Sequence, residues 1–315
     1  MRQLAKQAAV ILACGFAAGA AGWAQQSGAS PLVEEIRARE YTLMRTPEQA
    51  SGIDWFKLAV LYQDAARYGD AERGYRKAIA LLKGGNRAVL SAALDHLGTT
   101  YVECGKYAKA EPLEQRALAM READRDLAGI GTSYMHLALL SYGKKDMAAA
   151  EADAEMAVSL LVPAHNEHTE NSNATPVEKM AALIDLSLVQ CARGSCADAI
   201  PNLNRALDLA HSYYAANSIP VGMADFLLGY AHWKSDDSHV AEEKMKTGVA
   251  ELASQLGWGH PTYIAALWQY KALLTQNGEV DEAAEVGVRI AKLDRSHEAL
   301  PPAREQALFG LDRLR

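Results

Sequence analysis

A residue pattern that recurs along the chain constrains its fold more than any other feature of the sequence. In its full form the pattern has a Leu followed by a small residue, a Tyr three positions after the small residue, an Ala nine positions later and another Ala seven beyond that. The two clearest copies consist of Leu58, Ala59, Tyr62, Ala71 and Ala78, and of Leu97, Gly98, Tyr101, Ala110 and Ala117. Less faithful copies follow, so that repeats start near positions 52, 91, 131, 180, 222 and 264. Such a period is typical of supersecondary units that stack on one another.

These residues resemble the tetratricopeptide repeat, whose pattern is W-x2-L-G-x2-Y, then A-x3-F, then a closing Ala. Residues 110–122 and residues 257–261 resemble the kinesin-light-chain variety of that repeat. In that variety a Gly-x-x-His-Pro element, here residues 257–261, precedes a helix pair. The resemblance covers residues 50–295. Glu114 departs from it, because the family has an aromatic residue at that position.

The resemblance implies an all-α fold, a right-handed α-solenoid of about six helical hairpins over residues 51–300. Residues 25–50 are interpreted as a flexible terminus and an N-terminal capping helix, and residues 301–315 as a C-terminal capping helix. The Ala-rich, Pro-poor composition agrees, because Ala is the best helix former.

Turn and cap signals indicate where the helices end. Residues 46–49 and 175–178 have the form of capping boxes with Pro at the first helical position, just before two predicted first helices. Four glycines fall in the predicted turns within hairpins, where a left-handed residue is often needed: Gly69, Gly105, Gly143 and Gly278.

The N-terminus has the features of an export signal. Arg2 and Lys6 precede an apolar stretch and small residues at 22 and 24, which predicts a signal peptide at 1–24 and a periplasmic or envelope location. Residues 11–14 partly resemble a lipobox, so Cys14 is a candidate for lipid attachment. The alternative is an uncleaved anchor, although the apolar stretch is short for a membrane span. No later segment is long and apolar enough to cross a membrane, so none is expected in the mature chain.

The net charge of the chain restricts the classes of partner that it is expected to bind. The whole chain has a net charge of −7, and cleavage would leave 30 basic against 39 acidic residues. A dispersed acidic charge argues against nucleic acid and anionic membrane surfaces as partners.

No set of residues predicts catalysis, so the chain is expected to be no enzyme and to carry no cofactor. Residues 165–168 contain two His and a Glu, but they lack helical spacing and a Cys, and no metal site is predicted there. Cys191 and Cys196 span a predicted helical corner, where they either form a disulfide or pack as two small core residues.

The concave face that the resemblance implies is the best functional lead, since the first helix of each hairpin lines it. Projecting the repeat onto this chain predicts these partner-binding residues: Phe56, Met135, Tyr142, Phe226, Tyr230, Trp233 and Trp268. They would hold an extended or helical peptide through aromatic anchors. The alternative is that these side chains pack against the next hairpin or a terminal helix.

The preferred interpretation is an exported scaffold or adaptor that binds a protein or peptide of unknown identity on its concave face. One alternative is an assembly component that self-associates through the solenoid ends, which an apolar exposed face on residues 302–314 would favour. Others are a lipid-anchored envelope protein and an enzyme or its sensory domain, the last without support from any motif.

Overall fold

The computed structural model describes residues 31–45, 48–65, 67–162, 173–256 and 261–297, which form thirteen helices and no strand. The helices are α1 Pro31–Arg45, α2 Gly52–Asp64, α3 Tyr68–Leu82, α4 Arg87–Glu103, α5 Tyr107–Asp124, α6 Leu127–Lys144, α7 Met147–Leu161, α8 Pro176–Arg193, α9 Cys196–Tyr213, α10 Ile219–Lys234, α11 Ser238–Leu256, α12 Pro261–Asn277 and α13 Val280–His297. From α2 onward they form six hairpins, in which each even-numbered helix packs on the next. The predicted all-α repeat fold is confirmed.

The repeat period of the sequence corresponds to these hairpins. Their first helices begin at residues 52, 87, 127, 176, 219 and 261, each within a few residues of a predicted repeat start. Each first helix also contacts the second helix of the hairpin before it, so the apolar faces are buried continuously along the stack.

Small residues let the two helices of a hairpin approach each other, and large ones fill the remaining space. In the first hairpin Leu58 and Tyr75 are buried, and a Cβ built on Gly74 would lie 2.8 Å from the Cβ of Ala59. A larger residue at position 74 would force α2 and α3 apart. The recurring alanines of the sequence pattern are fully buried in the same way: Ala71, Ala78, Ala110 and Ala117.

Helix α1 covers the apolar side of the first hairpin. Ile36 and Leu43 are buried in one cluster with Leu58, and the Tyr62 hydroxyl donates to Glu40 Oε1 at 2.7 Å. The helix therefore packs on the first hairpin at the N-terminal end of the described solenoid.

Two of the four turn glycines behave as predicted. Gly105 and Gly278 have φ of 69° and 83°, in the left-handed region. The prediction is wrong for Gly69 and Gly143, which lie inside α3 and α6. Gly143 is needed for packing, because a Cβ there would lie 2.5 Å from a ring carbon of Tyr107.

One of the two predicted capping boxes is found. The Thr175 hydroxyl accepts from the Glu178 amide at 3.3 Å, while the Glu178 carboxylate accepts from the Thr175 amide at 2.7 Å. In the box predicted at residues 46–49, positions 46 and 47 lie outside the described residues, and α2 begins only at Gly52 with Ser51 as its cap. Ser51 and Asp54 form a capping box there. The sequence pattern of this box is S-x-x-D, with Asp in place of the usual Glu or Gln.

Several predictions concern segments outside the described residues. These are the signal peptide at 1–24, Cys14, the group at 165–168 and the capping helix at 301–315. Within the described ranges, no helix is both long and apolar enough to span a membrane.

Cys191 and Cys196 form a disulfide in the structure. Cys191 lies in the last turn of α8 and Cys196 begins α9, with Gly194 in the left-handed region between them and 4.1 Å between the two Cα atoms. Cys104, at the end of α4, has a free thiol and is partly buried.

The disulfide leads to a prediction about thiol labelling. When the unreduced chain is denatured and alkylated, we expect Cys104 to be labelled and Cys191 and Cys196 to remain unlabelled until a reductant is added. Peptide mass spectrometry gives the measurement. The closed loop is short, so we expect a Cys191→Ser/Cys196→Ser chain to lose only about 2 kcal/mol of unfolding free energy. Labelling of all three cysteines without reductant would contradict the prediction.

Candidate functional site

The first helices of the hairpins form one continuous surface. Each of them contacts the first helix of the next hairpin, from α2 and α4 through to α10 and α12. Helices that meet directly across successive hairpins lie on the tighter side of a curved stack, so we call the side formed by these six helices the inner face.

The predicted partner-binding residues all lie on first helices, but they differ in exposure. Four of them are buried: Met135, Tyr142, Phe226 and Trp233. Phe226 is only 1 % exposed and belongs to the large core of the C-terminal half. Phe56, Tyr230 and Trp268 are partly exposed. Of the seven residues, only these three are exposed enough in this conformation to contact a partner directly. Their role in binding stays a prediction.

Tyr230 and Trp233 lie next to each other near the C-terminal end of α10. Their ring centroids are 5.9 Å apart in an edge-on arrangement, and Trp233 Nε1 donates to Gln276 Oε1 at 2.9 Å. The Lys234 ammonium lies 3.2 Å from the Trp233 ring centroid, and burial lowers the pKa of Lys234. A cation over an indole beside a partly exposed tyrosine can interact with aromatic and anionic groups of a ligand.

Phe56 lies in a separate group at the N-terminal end. Its ring centroid is 6.0 Å from that of Tyr75 and 5.5 Å from that of His96. Burial, together with the charge of His136, lowers the pKa of His96 to about 4, so this imidazole is neutral near pH 7. The structure therefore brings Phe56 together with residues of its own and the next hairpin, and not with the C-terminal aromatic group.

The N-terminal half of the inner face also holds acidic side chains. Gln63 accepts from the Tyr75 hydroxyl at 2.7 Å and lies 3.4 Å from both carboxylate oxygens of Glu103. Burial raises the pKa of Glu103 well above its usual range, and it raises the pKa of Asp64 to about 7, with a smaller contribution from the charge of Glu35.

Asp64 gives a pH prediction with a definite sign. A carboxyl whose pKa is raised in the folded chain retains its proton after the unfolded chain has lost it, so unfolding free energy falls as pH rises from about 4 to 7. Asp64→Asn removes this contribution, and we expect a flatter curve of unfolding free energy in that window. Urea denaturation at several pH values gives the measurement.

Asp54 provides the control with the opposite sign. The Ser51 hydroxyl and amide lower the pKa of Asp54, so its contribution is present above about pH 4 and is lost as pH falls further. Asp54→Asn should therefore change the curve only in acid. If Asp64→Asn left the slope between pH 4 and 7 unchanged, the raised pKa would be refuted.

A buried polar cluster lies beneath the inner face, between the second and third hairpins. Asp95 on α4 forms an ion pair with Arg121 on α5, and Arg121 Nη1 also donates to Ser133 Oγ at 2.6 Å. His136 on α6 has Nδ1 3.4 Å from Asp95 Oδ2 and 3.6 Å from Glu114 Oε2. We call Asp95, Glu114, Arg121 and His136 the Asp95 cluster.

Burial and charge act against each other in the Asp95 cluster. Burial alone would raise the pKa of Asp95, but His136 and Arg121 outweigh it and lower that pKa. Burial raises the pKa of Glu114 to about 8. Burial would lower the pKa of His136, but the Asp95 and Glu114 carboxylates raise it to about 10. The sequence shows Glu114 only as a departure from the repeat pattern, and the structure gives its surroundings.

Comparison with known proteins agrees with this architecture. Residues 53–123 match the family model described as tetratricopeptide repeat. A structure of nearly identical kinesin-light-chain TPR-like repeats from Podosopora anserina has 17 % identity and a TM-score of 0.52, over 68 % of this chain and 98 % of that one. BtubC (BKLC) from P. vanneervenii has 15 % identity and a TM-score of 0.55, over 87 % and 94 %. A Rap protein complexed with competence and sporulation factor has 11 % identity and a TM-score of 0.57, over 90 % and 89 %. No curated protein matches the sequence.

These findings confirm the resemblance to tetratricopeptide repeats of the kinesin-light-chain type. The repeats at 53–123 are recognised in sequence, and 68 % to 87 % of the chain shares the fold of the two kinesin-light-chain-like solenoids. Tetratricopeptide repeats bind proteins and peptides and are generally non-catalytic. In this broad sense the chain has the architecture of a protein-interaction scaffold.

Proposed function

We propose that this solenoid is an exported adaptor whose inner face binds a peptide segment of a partner protein. The observation that carries the proposal is the pair of partly exposed aromatic residues at the edge of the C-terminal core, Tyr230 on α10 and Trp268 on α12. Partly exposed aromatic side chains on a rigid framework supply contact area at low entropic cost, which is what anchor residues of interfaces do.

The charges around this surface favour a partner segment of mixed character. Lys234 Nζ lies 5.4 Å from the Tyr230 ring centroid and Lys271 Nζ lies 5.5 Å from the Trp268 ring centroid, so both aromatic residues have a cation beside them. An apolar or aromatic side chain flanked by a carboxylate would meet complementary groups here. The similar Rap protein is seen in complex with competence and sporulation factor, which supports ligand binding by a solenoid of this fold.

The test compares three folded chains in a pull-down from cell-envelope extract. The first is native, the second carries Tyr230→Ala/Trp268→Ala, and the third carries Met156→Ala/Val288→Ala. The third is a matched control, because Met156 and Val288 are exposed apolar residues on second helices. We expect one partner to be retained by the first and third chains and lost by the second. A partner retained equally by all three would refute binding through these aromatic residues.

Export rests on the N-terminal sequence, and the Cys191–Cys196 disulfide supports an oxidising compartment. Cell fractionation followed by N-terminal sequencing is the test. We expect the chain in the periplasmic or envelope fraction with its N-terminus at Gln25. A cytoplasmic chain that begins at Met1 would contradict export.

Self-association through the ends is the second candidate function. Exposed apolar side chains occur on both terminal elements of the described solenoid: Tyr41 and Met44 on α1, and Val280 and Val288 on α13. Surfaces that complement each other at opposite ends would join chains head to tail. Analytical ultracentrifugation distinguishes self-association from peptide binding. End-to-end assembly requires a sedimentation coefficient that rises with protein concentration, and the Met44→Asp substitution should lower that coefficient.

A further inference from the structure

Three side chains that commonly ligate metals converge from three helices in the Asp95 cluster. Asp95 on α4, Glu114 on α5 and His136 on α6 each offer one ligand atom, and these atoms all lie within 4.8 Å of one another. Asp95 and Glu114 are fully buried, and His136 reaches the surface with only 18 % of its side chain.

The distances fit tetrahedral coordination. Zinc–nitrogen and zinc–oxygen bonds of about 2.1 Å at a tetrahedral angle place neighbouring ligand atoms about 3.4 Å apart. His136 Nδ1 is 3.4 Å from Asp95 Oδ2 and 3.6 Å from Glu114 Oε2. An ion could therefore enter between these atoms with small side-chain adjustments.

The Glu114 carboxylate lacks the hydrogen bonds that burial normally demands. Both oxygens of Glu114, both oxygens of Asp95 and Nδ1 of His136 are buried without a hydrogen bond, although Asp95 has an ion pair with Arg121. A buried carboxylate without hydrogen bonds is costly, and such groups are normally paired or coordinate a metal. Glu114 has room to lie here because position 98 is a glycine, where any Cβ would collide with the Glu114 carboxylate.

We propose that Asp95, Glu114 and His136 bind one divalent transition-metal ion, with Zn²⁺ the best match. Arg121 pairs with Asp95, and a bound cation would replace the proton of His136 as the charge that balances Glu114. One imidazole nitrogen with two carboxylate oxygens suits Zn²⁺, whereas Mg²⁺ and Ca²⁺ favour sites made of oxygen alone. The ion would join the first helices α4 and α6 through the second helix α5, and so fix the second hairpin against the third.

Isothermal titration of the metal-free native chain with Zn²⁺ tests the proposal. We expect one equivalent to bind, and we expect Glu114→Gln and His136→Gln each to weaken binding more than about 100-fold, since even residues outside the first coordination shell contribute 10–100-fold. Circular dichroism in chelator establishes that each variant is folded. His232→Gln is the matched control, because His232 Nδ1 lies 3.0 Å from Asp237 Oδ2 but has no second carboxylate among its ion pairs. It should bind Zn²⁺ as the native chain does.

X-ray absorption of the Zn²⁺-loaded native chain keeps the test independent of variant folding. We expect only nitrogen and oxygen ligands at about 2.0–2.2 Å. A sulfur ligand at about 2.3 Å would assign the ion to a cysteine and overturn the proposal. Absence of stoichiometric binding, or equal affinity in the native chain and both cluster variants, would overturn it too, and would leave a protonated His136 as the group that balances the carboxylates.

Discussion

Replacing Gly248 by alanine is expected to lower the free energy of unfolding by about 3 kcal/mol, although alanine is the better helix former. Gly248 lies in α11, where the helix meets the backbone of α10. A Cβ at this position would lie 2.5 Å from the carbonyl oxygen of Gly222 and 2.6 Å from the amide nitrogen of Phe226. Because both are backbone atoms, no side-chain rotation relieves the contact, and the two helices must separate.

Gly287→Ala provides the control for this prediction. Gly287 also lies inside a helix, α13, but the atom nearest its added Cβ is the flexible Lys271 ammonium at 3.0 Å. We expect this variant to be up to about 1 kcal/mol more stable than the native chain, because its helix gains propensity and the lysine can move. Urea unfolding followed by circular dichroism gives both values. Equal effects of the two substitutions would contradict the close approach of α10 and α11.

Asp95→Asn is expected to have a still larger effect, a loss of about 3–5 kcal/mol in the presence of a chelator. The substitution preserves the shape of the side chain but removes its charge, and Arg121 is then left buried without its ion-pair partner. Leaving one member of a buried pair uncompensated costs far more than the intact pair contributes.

The ion pair between Lys144 and Glu111 is the matched control. It joins α6 to α5 at 2.8 Å, as the buried pair joins α4 to α5, but both of its side chains are well exposed. Glu111→Gln should therefore cost less than about 1 kcal/mol, because water screens the charges. A small effect of Asp95→Asn, comparable with that of the control, would show that the Asp95 cluster is not as closed as the structure has it.

The sequence predicts the hairpin framework well, because that framework depends on local spacing. The Leu–small–x–x–Tyr pattern places first helices within a few residues of their observed starts, since one face of each helix must be apolar to bury itself. The Thr175–Glu178 capping box is predictable for the same reason, because all of its atoms lie within four consecutive residues.

Features that depend on contacts between helices are harder to predict. Gly143 reads as a turn residue in the sequence, but its contact with Tyr107 determines its role. The left-handed residue that ends α6 is instead Lys145, with φ of 69°. Such a lysine gives no sequence signal, since non-glycine residues adopt this conformation only when their surroundings stabilise it.

The exposure of the inner-face residues also depends on contacts between helices and is equally hard to predict. The repeat pattern places Phe226 and Tyr230 on α10, but it cannot say that the first is buried and the second partly exposed. The sequence likewise does not show that Asp95 and Glu114 are buried. They occupy different positions in the repeat pattern, and only the packing of three helices brings them together. An acidic residue at a position where the family has an aromatic one is nevertheless a sequence signal, and Glu114 carries it.

Site-specific photo-crosslinking in living cells tests the proposed binding face most directly. A crosslinking amino acid at Tyr230 or Trp268 samples the inner face, and one at Met156 or Val288 samples second helices. We expect a discrete protein adduct from the first two positions and none from the other two. Adducts that form only from positions 156 and 288 would contradict recognition on the inner face and would move the binding site to the second helices.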